Sequence, residues 1–285
     1  MAGHYQFPTK LKGANSPPPI ARCIYCDSTE EPLSKEHIIP QSLGGKITLL
    51  RASCEPHREM TMNFERIIAR EVFLDTRVAF QLRIKEPPLR VPMRAGPQPN
   101  APIVDYLLPE EAPRYLSLFV ADPPGILSGR ARDAKFKLQL FQGFWGDAVA
   151  RINKRAAQGL PHQFHRQFNL TLFARFLSKI AIGMVVYGAG LESFDPTDIR
   201  KVIVGEDTHW AHLVGGTPDN LLSLAPPARG HRITVFQTDI GGTPYAGVQI
   251  QLFAQIGTPV YTVIVGKLNE AGVKKFDPKD HILYA

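Results

Sequence analysis

The sequence predicts an α+β fold: a small metal-stapled hairpin-and-helix module near the N-terminus, then an α+β domain with a long buried helix and C-terminal antiparallel strands. Three observations carry this reading. Two Cys/His pairs, Cys23-Ile-Tyr-Cys26 and Cys54-Glu-Pro-His57, bracket a hairpin pattern and open a helix. Phe168, Leu172, Phe176, Ile180 and Met184 keep helical step across Phe164–Gly188. The last third alternates short apolar runs with glycine turns, as antiparallel strands do.

In chain order, residues 1–20 hold Pro17, Pro18 and Pro19 beside Gly13, Asn15 and Ser16 and read as a flexible lead-in. The module is expected over 21–86. Lys35–Leu43 reads as a strand ending at the turn pair Gly44-Gly45, and Lys46–Leu50 as its return. A helix follows over Glu55–Phe73, with Pro56 in the first turn, where its missing N–H does no harm. Met60, Phe64, Ile67, Ile68 and Val72 form its apolar stripe, and Glu59, Asn63, Arg66 and Arg70 fall on a polar face. Six prolines between 87 and 102 mark a linker. The domain of 103–285 then offers strands at Leu116–Ala121 and Phe136–Phe141, and the helix ended by Gly188 and Gly190. Further strands are expected at Ile233–Thr238, Val248–Ala254 and Tyr261–Val265.

The bulk numbers fit a globular chain. Of 285 residues, 44% are apolar and 21% charged, which is not a disordered composition. No run is read as an apolar span of the roughly 18 residues that cross a bilayer. The first residues lack a secretory signal's apolar core, so a cytoplasmic location is the default expectation. The net charge of +7 and pI near 9.3 favour polyanionic partners, since cations laid on phosphates release counterions. The three cysteines are too few and too clustered for a disulfide framework and read as metal ligands. Two thiolates with two residues between them reach one tetrahedral zinc at about 2.3 Å, and the second pair completes a Cys₃His site.

Between the half-sites lies Ser34-Lys-Glu-His-Ile-Ile-Pro-Gln-Ser-Leu-Gly-Gly45. Glu36-His37-Ile38-Ile39-Pro40 and then Leu43-Gly44-Gly45, enclosed by Cys/His pairs, resemble the HNH endonucleases, whose core is a zinc-stapled ββα-metal module. Ala52-Ser53-Cys54, Thr61 and Phe64-Glu65 resemble a bacterial branch of that family. The resemblance spans roughly residues 21–75. It implies a phosphodiester-cleaving enzyme acting on nucleic acid, DNA first, with structural zinc and a working Mg²⁺ or Mn²⁺. His37 would activate water, the task for which a neutral imidazole has the right pKa. Glu36 would hold the working ion, with Asn63 or Glu59 as further oxygen donors. Arg58, Arg66 and Arg70 would contact phosphates.

Neighbouring strand residues face opposite ways, so Glu36 and His37 can share a cleft only if the strand twists or bulges. Two departures bear on role. His57 stands where the family usually has cysteine, and either completes the zinc site or holds the working ion. Arg58 stands where many members have a second metal ligand, and a guanidinium cannot ligate a cation. A non-catalytic zinc module that binds nucleic acid or protein is the alternative. His162, His165, His209, His212 and His231 are scattered, Phe144, Trp145 and Trp210 read as core, and Lys274-Lys275 reads as a solvated turn.

Overall fold

The computed structural model describes residues 18–82, 90–94, 102–108, 111–112, 114–160, 168–218, 230–276 and 283–284. The expected lead-in lies almost wholly outside them, as do His162, His165 and the first residues of the expected long helix.

Strand β1 is Ser34–His37 and β2 is Thr48–Ser53, paired antiparallel. The first strand is shorter than expected. Pro40 ends it, and Gln41–Leu43 forms a 3-10 turn closed by Gly44 at φ 93°. Gly45 is required by close approach, because a Cβ there would lie 2.0 Å from the Ile39 carbonyl oxygen. Helix α1 spans Glu55–Ile67 and runs into a π-helical turn at Ile68–Val72. The short helix α2, Leu74–Ala79, follows. The single helix expected to Phe73 is thus broken by one wide turn.

The expected linker is partly structured. Val91–Arg94 forms β3 and pairs with β4, Ile103–Leu107. Strands β5, Tyr115–Ala121, and β6, Leu138–Phe144, make a second hairpin, with helix α3, Gly125–Ser128, between them and α4, Ala148–Ala157, after them.

Helix α5 spans Leu170–Ala189 and is capped by the Asn169 side chain, which accepts from the Leu172 N–H at 3.0 Å. Then come β7 (Phe194–Asp195), α6 (Thr197–Val204), β8 (Val214–Gly216), β9 (Arg232–Ile240) and β10 (Thr243–Gln251). The chain closes with β11 (Tyr261–Leu268), α7 (Glu270–Lys275) and β12 (Leu283–Tyr284). The order β12-β9-β10-β11-β7, with β8 also on β11, makes one antiparallel sheet. Gly241 and Gly242, both at positive φ, close the β9–β10 hairpin. Lys275 is not the solvated turn expected: its ammonium donates to the Ala189 carbonyl at 2.5 Å and so caps the end of α5.

Helix α5 packs on β10 and β11 with one face and on α1 and the π-helical turn with another. By length and composition alone it could cross a membrane, contrary to the sequence expectation, yet most of it is buried in this core. One buried cluster runs from Cys23 through Phe64, α5 and the sheet to Phe276, across the expected boundary at 87–102. Val91, Met93, Leu107 and Ala112 form a small separate cluster. Trp210 is buried and Trp145 stacks on Phe80, but Phe144 is 45% exposed.

At Gly183, α5 comes so close to the N-terminal module that an added Cβ would lie 3.2 Å from Ile38 Cγ1. A β-branched side chain there overfills the contact. Gly183→Val is expected to cost about 1–3 kcal/mol, read as a lower urea midpoint at unchanged m-value. A midpoint equal to wild type would contradict this packing.

Candidate functional site

The two Cys/His pairs are brought together by local structure. Cys23 opens a tight turn in which the Asp27 N–H bonds the Cys23 carbonyl at 2.9 Å. The Ile24 N–H bonds the Ala52 carbonyl at 2.9 Å, which lays this turn beside β2. Cys54 is the N-cap of α1, so Cys54 and His57 meet within its first turn. The ligand atoms of Cys23, Cys26, Cys54 and His57 lie within 4.8 Å of one another. Cys26 Sγ is 3.8 Å from Cys54 Sγ, and Cys54 Sγ is 3.1 Å from His57 Nδ1. A tetrahedron with bonds of about 2.3 Å has edges of about 3.8 Å, so the donor set fits zinc. Desolvation, then the neighbouring Cys23 and Cys54 thiols, pushes the Cys26 thiol up to about 12. A dication reverses that by binding the thiolates. His57 therefore sits with the thiols, and its ring stacks on Tyr25 at 5.7 Å.

The hairpin is irregular, but before Glu36 rather than at the end of the strand near Pro40, where a twist or bulge was expected. Ser34 faces Ser53 but Glu36 faces Leu49, so three residues of β2 oppose Lys35 alone. Arg51 lies within this bulge at φ 49°, in the left-handed region. The bulge does not bring Glu36 and His37 onto one face. Glu36 is turned inward and is 5% exposed, whereas His37 is half-buried.

The inward carboxylate meets a residue that sequence reasoning missed. Lys179, wholly buried in the middle of α5, places Nζ 2.8 Å from Glu36 Oε1 and 2.6 Å from Glu65 Oε1. The same ammonium donates to the His37 carbonyl and, at 3.2 Å, to the Ile38 carbonyl. Burial alone would lower the Lys179 pKa, but Glu36 and Glu65 outweigh it and raise it, so the ammonium stays charged. Burial raises Glu65 despite Lys179, and burial with the two carboxylates holds the Tyr25 hydroxyl well above its usual range. A buried ion group of this kind adds little net stability over an apolar core, but removing one partner costs about 3–5 kcal/mol.

His37 lies at the end of β1. Desolvation, then Lys35 and Lys179, lowers its pKa against a smaller opposing effect of Glu36. Its Nδ1 is buried and, among the described residues, has no hydrogen-bond partner. The polar face of α1 is largely engaged. The Asn63 carbonyl oxygen accepts from Arg66 at 3.0 Å, and Arg58 is paired with Glu55. Glu59 and Arg70 are exposed. The expected ligands of a working ion thus do not converge: Glu36 is committed to Lys179, Asn63 to Arg66, and Glu59 stands apart on the helix surface. The Cys/His group is the one cluster of three or more His, Cys, Asp or Glu ligands among the described residues. His209 lies 3.5 Å from Asp207 and does not join His212 in such a group.

Two more residues from the later chain grip the module. Arg200 on α6 donates to the Ile24 carbonyl at 2.9 Å and to Asp27 at 2.7 Å, which braces the turn carrying Cys23 and Cys26. His231 at the head of β9 bonds the Leu43 carbonyl at 2.8 Å through Nε2. Neither partner is near in sequence, so only the long-range fold reveals them.

Purified protein is expected to carry one zinc per chain by mass spectrometry, and Cys54→Ala to lose it together with cooperative unfolding of the module. Zinc retained at full stoichiometry in Cys54→Ala would contradict the four-ligand site.

Residues 23–66 match the family model described as HNH endonuclease. No curated protein and no solved structure gives a significant match to the chain. With the Cys/His half-sites at 23–26 and 54–57 and His37 on the hairpin between them, the segment from Cys23 to Arg66 is similar to the HNH endonuclease family.

Proposed function

We propose that the protein is a metal-dependent endonuclease that hydrolyses phosphodiester bonds in nucleic acid, with DNA as the expected substrate and His37 as the general base. The observation that carries this is the state of the His37 ring. It stands between two Cys/His half-sites, its ring partly exposed and its buried Nδ1 bonded to no described protein group. Its pKa is held down by desolvation and by Lys35 and Lys179, so the imidazole is neutral at pH 7 and can accept a proton. Such a ring can take a proton from water as the water attacks phosphorus.

Zinc acts as the staple that joins the turn at Cys23 to the start of α1. Mg²⁺ or Mn²⁺ would supply positive charge at the phosphate, although Glu36, Asn63 and Glu59 do not converge to hold it as expected. Arg66 and Arg70, on the same polar face as Asn63 and Glu59, are the residues for phosphate contact. Glu36 is better placed to hold β1 than to hold this ion, because Lys179 takes its carboxylate.

A second reading is a non-catalytic nucleic-acid-binding or protein-binding module. The engagement of Glu36 and Asn63, and Arg58 at the ligand position, favours it.

Supercoiled plasmid with Mg²⁺ or Mn²⁺ separates the two. Wild type is expected to nick it, and His37→Ala to be slower by on the order of 10²–10⁴-fold at unchanged zinc content. Plasmid binding without nicking under every metal, or equal nicking by His37→Ala, overturns the assignment.

The pH profile gives a further check. The base must be unprotonated, and the folded pKa lies below the usual 6.5. The rate should therefore rise with pH through a limb centred below 6.5 and level off above it. A limb centred above 7.5 would contradict His37 as the base.

A further inference from the structure

We propose that Lys179 is a positioning residue of the nuclease site, fixing the end of β1 so that His37 is correctly aimed. This rests on the reading of His37 as the base.

Lys179 lies far outside the matched segment, yet its ammonium reaches both β1 and α1. It bonds the carbonyls of His37 and Ile38, the two residues that end β1 and begin the turn. It also holds the carboxylates of Glu36 on β1 and Glu65 on α1. The Glu65 contact is an ion pair rather than a well-aligned hydrogen bond, since that oxygen has no hydrogen-bond partner. One charge thus joins the backbone of the histidine, the strand beside it and the helix that carries half of the zinc site.

The strand needs such a tether. It is four residues long, sits in a two-stranded sheet and adjoins a bulge. Hairpins of this size are marginal alone. The helix is shaped for the task. Lys179 and Gly183, four apart, share one face, and Gly183 is the position where α5 closes on Ile38. A fully buried lysine in an otherwise apolar run is costly, and filling space alone would be done better by Met or Leu.

The test uses full-length, zinc-loaded protein. Lys179→Met leaves two carboxylates buried without a cation, so it is paired with the triple variant Lys179→Met/Glu36→Gln/Glu65→Gln. The triple variant is compared with the double variant Glu36→Gln/Glu65→Gln, which keeps the Lys179 amine, charged or neutral, as a donor to the His37 and Ile38 carbonyls. Zinc content, plasmid kcat and KM, and amide hydrogen exchange over residues 34–38 are read for each. The triple variant is expected to keep its zinc and KM but to fall roughly 100-fold in kcat below the double, the size of loss that a misplacement of about 1 Å produces. Its β1 amides should exchange faster while those of β9–β11 do not. Lys179→Arg, which keeps the charge, should recover part of kcat.

Equal kcat and equal β1 exchange in the triple and double variants would overturn the proposal while leaving the nuclease reading intact. If wild type fails to nick, that reading falls, and hydrogen exchange still decides whether Lys179 holds β1. Should the triple variant lose zinc or unfold, Lys179→Arg decides: wild-type kcat and β1 exchange in it would overturn the requirement for this geometry.

Discussion

One buried ammonium, that of Lys179, ties the N-terminal hairpin to the rest of the protein. It is the point at which β1, α1 and α5 meet as charge rather than as apolar surface. An unpaired charge at zero exposure is not tolerated in a protein interior. The positions of Glu36, Glu65 and the His37 and Ile38 carbonyls are therefore mutually constrained. Any movement of β1 along α5 would break several charged contacts at once. Apolar packing alone would permit a small slide.

From that constraint the remaining geometry follows. Glu36 turns inward, so its neighbour His37 faces the other way, partly open to solvent. The Cys/His cluster brings the turn at Cys23 to the start of α1, and Arg200 and His231 secure the turn at Cys23 and the turn at Leu43. The segment that matches the HNH family is short, and the long helix and the sheet supply the scaffold that it lacks. The core is continuous between them, so the later chain packs directly against the module. This gives residues beyond 103 a physical role independent of any chemistry of their own.

Much of this was legible in the sequence, for local reasons. The Cys23/Cys26/Cys54/His57 cluster was readable because both pairs have the two intervening residues that let two side chains reach one point. Helix α5 was readable from its apolar step, and β9 and β10 from the glycine turn between them. The bulge expected at the strand's end, to bring Glu36 and His37 to one cleft, is not found there: ordinary alternation turns Glu36 inward and His37 outward, and the irregularity lies before Glu36, opposite Lys35. The misses are long-range. Lys179 pairs with residues more than a hundred positions away, and Arg200 and His231 likewise. Its one local signal was a lysine inside an apolar run, which argues for a buried partner without naming it. The π-helical turn at Ile68–Val72 and the strand at Val91–Arg94 were hidden too. An apolar stripe continues smoothly through the first, and prolines mask the second at the edge of a two-stranded sheet.

The most direct test of the account is a crystal structure of the zinc-loaded full chain with a short DNA duplex and Ca²⁺, an ion that can occupy a Mg²⁺ site while slowing turnover. The account predicts a backbone phosphate in front of His37, with one water between phosphorus and the imidazole, Ca²⁺ on that phosphate, and Lys179 still on the His37 and Ile38 carbonyls. DNA seated on another face, with His37 out of reach of every phosphate, would contradict it.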